Sequence, residues 1–184
     1  MIQRLKEETS ELHEQIEGVN LAKQIMDHSI DLDTYKLLLL QNFIAYQATE
    51  TAIKRFLPGY SGNKHKQLQQ DLEQLGVSAE IVTENDIFEC HSHAEALGAA
   101  YVVEGSALGG MLLSKNLQKC KQLASVDQHH FFNGNKENLK DWNSFKTVLE
   151  QYEFSKAEEN EALKKAKQTF RFFQTIFDRK YVIR

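Results

Sequence analysis

Proline and cysteine are both scarce in this chain of 184 residues, and each shortage limits the fold. Pro58 is the single proline, so long helices can form with little interruption. The two cysteines, Cys90 and Cys120, are too few for a disulfide scaffold in a chain of this length. A pair of reduced thiols in a helical protein is the simpler interpretation.

The chain also lacks a long apolar run, a targeting segment and an excess of positive charge. No stretch approaches the roughly 18 consecutive apolar residues of a membrane span, and the charged start, Met1 to Glu8, does not resemble a signal peptide. The net charge of -4 argues against a nucleic-acid partner. We therefore expect a soluble cytoplasmic protein with no membrane or nucleic-acid partner. We also expect a monomer, because no apolar stripe is left over.

Apolar residues recur three and four positions apart through most of the chain, which predicts an all-α fold in one domain spanning residues 1–184. Gly18 and Pro58 are expected to end the first and third helices, and Asn85 or Asp86 to cap a helical stretch that starts near Ile87. The predicted helices cover residues 2–17, 21–28, 34–57, 64–75, 92–117, 137–151 and 156–180.

A cluster of glycines interrupts the predicted helix 92–117. Gly105, Gly109 and Gly110 each cost about 1 kcal/mol relative to alanine in a helix interior. Such a loss indicates that something approaches the backbone closely or that the helix bends there.

His13 is the strongest single candidate for chemistry, and Glu17 follows four residues later on the same helix face. The helical pattern turns His13 inward. A histidine that binds a metal commonly donates its second ring N–H to a carboxylate, and this spacing allows that arrangement. An ordinary helical His–Glu pair has the same spacing, so both interpretations stay open on the pattern alone.

Lys167 and Arg171 are also four residues apart, on the last predicted helix, and Lys6 precedes His13 on the first. These cations suit an anionic ligand such as a carboxylate, or else form a solvated rim. Cys90-His91-Ser92-His93 and His129-His130 lack the paired spacing of a zinc site, so we interpret them as surface loops. No phosphate-binding loop or nucleophile elbow is present.

Several stretches together resemble the heme oxygenase family, in its bacterial biliverdin-producing branch. Residues 6–17, with Thr9, His13 and Glu17 four apart, resemble the family's proximal motif. The stretch Tyr101 to Gly110 resembles its glycine-rich distal helix. Similarity continues in Asp33 to Leu37 and in Phe131 to Gly134 with Trp142 and Phe145, so that it spans almost the whole chain.

The resemblance implies heme held between the first helix and the distal helix, with His13 as the proximal iron ligand. It implies heme contacts or propionate contacts at Lys6, His13, Glu17, Tyr101, Gly105, Gly109, Gly110, Lys167 and Arg171, and a catalytic part for Gly105, Ser106 and Gly109. Heme is then both cofactor and substrate and O2 the co-substrate. The implied products are biliverdin, carbon monoxide and ferrous iron. Because no flavin or nicotinamide motif is visible, the electrons are expected from a separate ferredoxin or reductase.

Ser106 departs from many family members, which carry an aspartate at this point. Proton delivery is then expected to depend on waters held by backbone carbonyls and by more distant polar groups. The departure keeps a second hypothesis open, a heme-binding or storage protein that does not degrade heme. A third hypothesis is a helical relative with other chemistry, such as a thiamin-degrading or non-heme diiron enzyme. It would leave the His13/Glu17 match unexplained, and this sequence lacks the inward carboxylates and histidines that a diiron site needs.

Overall fold

The computed structural model describes residues 1–78 and 87–181, and the described residues form helices and no strands. The predicted all-α class is therefore confirmed. The helices are α1 (Ile2–Val19), α2 (Lys23–Met26), α3 (Leu32–Lys54), α4 (Lys64–Gln74), α5 (His93–Gly105), α6 (Ala107–Leu117), α7 (Glu137–Gln151) and α8 (Lys156–Phe177), with a short 3₁₀ turn at Lys121–Leu123.

Side-chain caps explain where three of these helices begin. Asp31 accepts a hydrogen bond from the Thr34 amide at 2.7 Å and starts α3. Ser92 caps α5 through the Glu95 amide at 3.1 Å. Ser155 and Glu158 form a reciprocal capping box at the start of α8, so the first amides of that helix are satisfied locally.

Helices α3, α5 and α8 form the centre of the molecule. An unbroken buried run, Leu38 to Tyr46, crosses α3, and α5 is buried on nearly every side. A helix that is apolar all round belongs in a core, which is where these two lie. Helix α1 packs on α8, α4 on α3, α7 on α5 and α2 on α6.

Gly98 lets α5 and α8 approach closely, a role that the sequence analysis did not identify. A Cβ built on Gly98 would lie 2.1 Å from the carbonyl oxygen of Ala162. Small residues on both faces, among them Ala94 and Ala166, are fully or almost fully buried. The contact between these helices is therefore a backbone-to-backbone contact that only glycine fits at position 98.

The segment from His93 to Leu117 is long and apolar enough to cross a membrane by length and composition. Half of its most apolar window is buried inside the protein, however, as in the core helix of a soluble protein. Composition and burial together identify it as a core element.

The structure corrects several predicted boundaries. Residues from Ile87 to Cys90 are not helical, and α5 begins only at His93, so the predicted helical start near Ile87 is wrong; Asn85 and Asp86 lie outside the described residues. Gly18 lies inside α1, which continues to Val19. Helix α2 is one turn, shorter than predicted, and α8 ends at Phe177 rather than at position 180.

Candidate active site

A cavity of about 670 Å³ opens between α1 and α6, within the size range of small-molecule pockets. His13, Ile16 and Glu17 line it from α1. The opposite side is lined by the end of α5 and the start of α6, at Gly105, Ser106 and the stretch Ala107 to Gly110. The remaining lining residues are Asn20, Ala22, Lys23, Met26, Leu38, Asn42, Tyr46, Asn63, Lys64, Gln67, Leu112, Leu113, Phe131, Phe132, Asn138 and Asp141.

The mouth of the cavity is apolar and exposed. Met26, Leu108 and Leu112 are 40%, 58% and 52% exposed, and all three line the cavity. A patch of exposed hydrophobic side chains of this kind indicates a binding site. The cavity therefore suits a largely apolar ligand.

His13 faces the open cavity, and its side chain is 58% exposed. It turns inward toward the cavity, as the helical pattern predicts, but not into the packed core. Its Nδ1 lies 3.4 Å from Glu17 Oε1, which leaves Nε2 for a ligand. Phe170 of α8 contacts the imidazole edge-on at a centroid distance of 5.9 Å.

The glycine cluster coincides with a break in the helix. Helix α5 ends at Gly105, Ser106 forms the junction and α6 begins at Ala107, so the predicted single helix 92–117 is two helices. A Cβ added at Gly109 or Gly110 would meet no protein atom within 4 Å, whereas one at Gly105 would meet the Trp142 ring at 3.9 Å. These glycines are therefore not needed for packing within the protein, and at Gly109 and Gly110 the wall of the cavity has no side chain.

Ser106 lies near a buried tyrosine behind the wall. Its hydroxyl donates to the carbonyl of Val103 at 2.7 Å. The Tyr46 hydroxyl lies near the Ser106 side chain, and burial raises the pKa of Tyr46 far above its usual range. Tyr46 thus stays protonated and presents a neutral donor at the cavity.

Four of the predicted ligand-contact residues do not line the cavity. Tyr101 is half-buried against Trp142, at a centroid distance of 5.9 Å, and burial raises its pKa. Lys167 donates to Glu8 at 2.5 Å, and Lys6 and Arg171 lie exposed on α1 and α8. His13, Glu17, Gly105, Ser106, Gly109 and Gly110 are the predicted site residues that the structure brings together.

The cations among the described lining residues are Lys23 and Lys64, which the sequence analysis did not single out. Tyr46 and Phe131 also line the cavity, and their rings lie 5.4 Å apart between centroids. The helical spacing of Tyr46 in α3 marks burial and does not distinguish a cavity wall from a core, and Phe131 lies in a turn outside the helices. Lys64 is the first residue of α4, and its partner Glu104 lies 40 positions away in α5. The helical pattern around Lys64 therefore does not reveal this pair.

The histidines outside the cavity do not form a metal site in the described part of the chain, where no group of three or more metal-binding side chains is found. Cys90 and Cys120 are free and buried, and burial raises the pKa of Cys90 to about 11. His129 contacts the Tyr35 hydroxyl through Nδ1 at 2.7 Å, and His93 stacks on Tyr152. His129 and His93 therefore contact protein side chains and do not contribute to the cavity lining.

Heme fits the residues that are present. An imidazole with a free ring nitrogen stands at one wall, a wall without side chains lies beyond it, and apolar residues surround the mouth. This donor set suits a flat apolar macrocycle that carries a metal with one histidine ligand.

The comparisons with known proteins agree with this geometry. The family model described as heme oxygenase matches residues 1–179. The heme oxygenase of Xanthomonas campestris pv. campestris is 29% identical over 152 residues, which cover 79% of this chain and 90% of that one.

Two solved structures have the same fold. A heme oxygenase from Leptospira interrogans superposes with a TM-score of 0.73 at 19% identity, covering 96% of this chain and 97% of that one. Heme oxygenase-1 from the cyanobacterium Synechocystis, solved in complex with heme, gives 0.70 at 17% identity, covering 96% and 90%. With the family model matching nearly every residue, the chain belongs to the heme oxygenase family.

Proposed function

We propose that this protein is a heme oxygenase that converts heme to biliverdin, carbon monoxide and ferrous iron, using O2 and electrons from outside the chain. The observation that carries the proposal is that His13 and the side-chain-free wall at Gly109 and Gly110 line one cavity. Bound heme supplies an iron centre for O2 chemistry and is itself the substrate that is oxidised.

His13 holds the ligand from α1 in this proposal. Glu17, near Nδ1, fixes the tautomer in which Nε2 is free and makes the imidazole a better donor. Phe170 keeps the ring in one orientation by edge contact. The three residues together position one nitrogen toward the cavity.

The opposite wall leaves room for O2 beside the macrocycle. Gly105 and Gly109 would bring backbone near the ligand without side chains, and backbone carbonyls with the Ser106 hydroxyl would hold water there. The apolar mouth at Leu108 and Leu112 limits bulk water.

The heme propionates require cations, and we propose Lys167, Arg171 and Lys6 for this part. Lys167 and Arg171 flank Phe170 along α8, next to the residue that contacts His13. Lys167 would exchange Glu8 for a propionate when heme binds. Tyr101 would act one layer away, through its packing against Trp142.

The wider setting follows the sequence expectations. We propose that residues 1–184 form one functional unit, that it works as a cytoplasmic monomer, and that a ferredoxin or a reductase supplies the electrons.

Hemin titration followed by turnover tests the proposal. Hemin should give the Soret spectrum of a histidine-ligated complex, and His13→Ala should lose that spectrum while the protein stays folded. Addition of a reductant under O2 should then replace the Soret band of the unmodified protein by bilin absorbance. No Soret change on hemin addition would contradict heme binding, and a Soret band that persists under reductant and O2 would favour storage.

A further inference from the structure

A cluster of buried ionisable side chains lies beside the cavity and has no part in the function proposed above. We call it the α3–α4–α5 cluster; its members are Tyr46, Glu50, Tyr60, Lys64, His65 and Glu104. Glu50 and Glu104 are almost fully buried, with 0% and 6% of their side chains exposed. Burying two carboxylates is unfavourable unless each is paired and hydrogen bonded, so the contacts of this cluster are its most informative feature.

Glu104 holds Lys64 in a fixed position. The Lys64 ammonium donates to Glu104 Oε2 at 2.7 Å, and the Tyr60 hydroxyl donates to Oε1 at 2.6 Å. Both carboxylate oxygens are therefore occupied. Lys64 is 14% exposed at its side chain and is one of the residues that line the cavity.

Glu50 fixes the start of α4, where Lys64 lies. It accepts backbone hydrogen bonds from Lys64 at 3.0 Å and from His65 at 3.2 Å, and it contacts His65 Nδ1 directly. The His65 side chain is 17% exposed, so it connects the cluster with solvent. Imidazole is the side chain best suited to exchange protons near neutral pH.

Tyr46 connects the cluster to the cavity wall. It is buried, lines the cavity and lies near the Ser106 side chain. Glu50 and Glu104 lie close enough to Tyr46 to add to the rise in its pKa caused by burial. The cluster therefore reaches the cavity at two of its members, Tyr46 and Lys64.

Heme cleavage takes up protons, because O2 is partly reduced to water and the product gains protons on its ring nitrogens. The apolar mouth and the glycine wall contain no acid that can supply them. Of the two lysines among the described lining residues, Lys23 is exposed, whereas Lys64 is largely buried and paired with Glu104. The ammonium group of Lys64, held against Glu104, can supply a proton to the cavity. Lysine can give up a proton and regain it, whereas arginine cannot.

We propose that Lys64 is the proton donor to the oxygen being reduced in the cavity, with Glu104 as its positioning residue; the inference rests on the proposed function. One N–H bond of the Lys64 ammonium breaks and the proton passes through a water held near Ser106 and Tyr46. The electrons come from the external donor. The Lys64 amine regains a proton from solvent along the His65 side of the cluster.

Lys64→Arg is the decisive variant, because it keeps the charge and the contact with Glu104 but removes an acid that gives up its proton. Lys64→Met removes both the charge and the proton that could be donated. The matched control is Lys165→Arg, since Lys165 forms a similar buried pair with Glu95, at 3.0 Å, between α8 and α5 and outside the lining of the cavity. All variants are first tested for unfolding free energy and for hemin affinity.

In single turnover, Lys64→Arg and Lys64→Met should slow bilin formation by about 10²-fold and increase hydrogen peroxide release, with hemin affinity within about twofold of the unmodified protein. Lys165→Arg should turn over at the unmodified rate. A separate spectroscopic measurement does not depend on turnover. The alkaline transition of the ferric heme complex should move up by about 1 pH unit in Lys64→Met, which loses a nearby cation, and stay in place in Lys64→Arg.

The inference is overturned if Lys64→Arg forms bilin as fast as the unmodified protein, or if Lys165→Arg is slowed equally. It is also overturned if the alkaline transition does not move in Lys64→Met. Failure of the unmodified protein to form bilin is a different result, because it contradicts the proposed function itself.

Discussion

Gly109 shows how a single residue can oppose stability and function. It lies inside α6, and an added methyl group would meet no protein atom. Alanine at this position should therefore stabilise the protein by up to about 1 kcal/mol through helix propensity. The same methyl group would project into the cavity, so hemin affinity should fall by about tenfold, equivalent to about 1.4 kcal/mol.

Urea unfolding without ligand and a Soret titration measure the two effects of Gly109→Ala. Gly18→Ala is the matched control, because Gly18 also lies in a helix with open space around it but does not line the cavity. It should stabilise the protein and leave hemin affinity unchanged. Unchanged affinity in Gly109→Ala would show that this wall does not contact the ligand.

The sequence reveals some site residues and conceals others for a physical reason. His13 and Glu17 are one helical turn apart, so their pairing is already present in the chain order. Lys64 and Glu104 meet across 40 positions because α4 and α5 both pack on α3, and Tyr46 lies near Ser106 across 60 positions. Contacts between residues so far apart in the chain cannot be predicted from the helical periodicity of the sequence.

At the scale of helices, the contact of α5 with α8 depends on Gly98. Gly98→Ala would place a methyl carbon 2.1 Å from the Ala162 carbonyl oxygen, and neither backbone can yield locally. We expect a net loss of about 1–3 kcal/mol in unfolding free energy despite the better helix propensity of alanine. The urea midpoint measures this loss. A variant at least as stable as the unmodified protein would show that the two helices separate readily.

The capping box of α8 predicts a dependence of stability on pH. Hydrogen bonds from the Tyr152 hydroxyl, and then from Ser155, lower the pKa of Glu158 from 4.5 to about 2. Because the folded state lowers this pKa, the stabilisation is present above pH 4.5 and is lost as the pH falls toward 2. Between these two pH values the unmodified protein should lose more stability than Glu158→Gln.

Urea unfolding at several pH values in that interval measures the difference, and Tyr152→Phe should reduce the dependence in part. Parallel pH profiles of the unmodified protein and Glu158→Gln would contradict the assignment.

The helical type and the approximate position of most helices were predictable, because long amphipathic or apolar stretches and clear caps mark them. Asp31 and Ser155 are visible as caps in the sequence. The break at Ser106 and the non-helical residues after Ile87 were not, because tertiary packing decides them. Gly98 resembled any helix glycine until the distance to Ala162 was known.

For the whole molecule, heme should act as a bridge between elements that surround the cavity. At a free hemin concentration of 100 times Kd, binding adds about 2.7 kcal/mol to the unfolding free energy. Hydrogen exchange should slow most in residues 13–20 and 105–113, which contain the lining positions of α1 and the glycine wall. The 3₁₀ turn at Lys121–Leu123 lies outside the lining and should change little. Slowing spread evenly over the chain would argue against binding in this cavity.

The fold at this scale was predictable from periodicity, the single proline and the family resemblance, which agree with the family match over residues 1–179. The shape of the cavity was not, since it depends on how far apart α1 and α6 lie. The predicted ligand contacts at Lys6, Lys167 and Arg171 stay predictions.

Carbon monoxide release tests the central claim most directly. Hemin-loaded protein is mixed with a reductant under O2, and carbon monoxide, remaining heme and bilin are measured together. If the protein is a heme oxygenase, one carbon monoxide and one bilin should appear for each heme lost, and His13→Ala should form neither at a comparable rate. Heme that persists, or that disappears without carbon monoxide, would contradict the account.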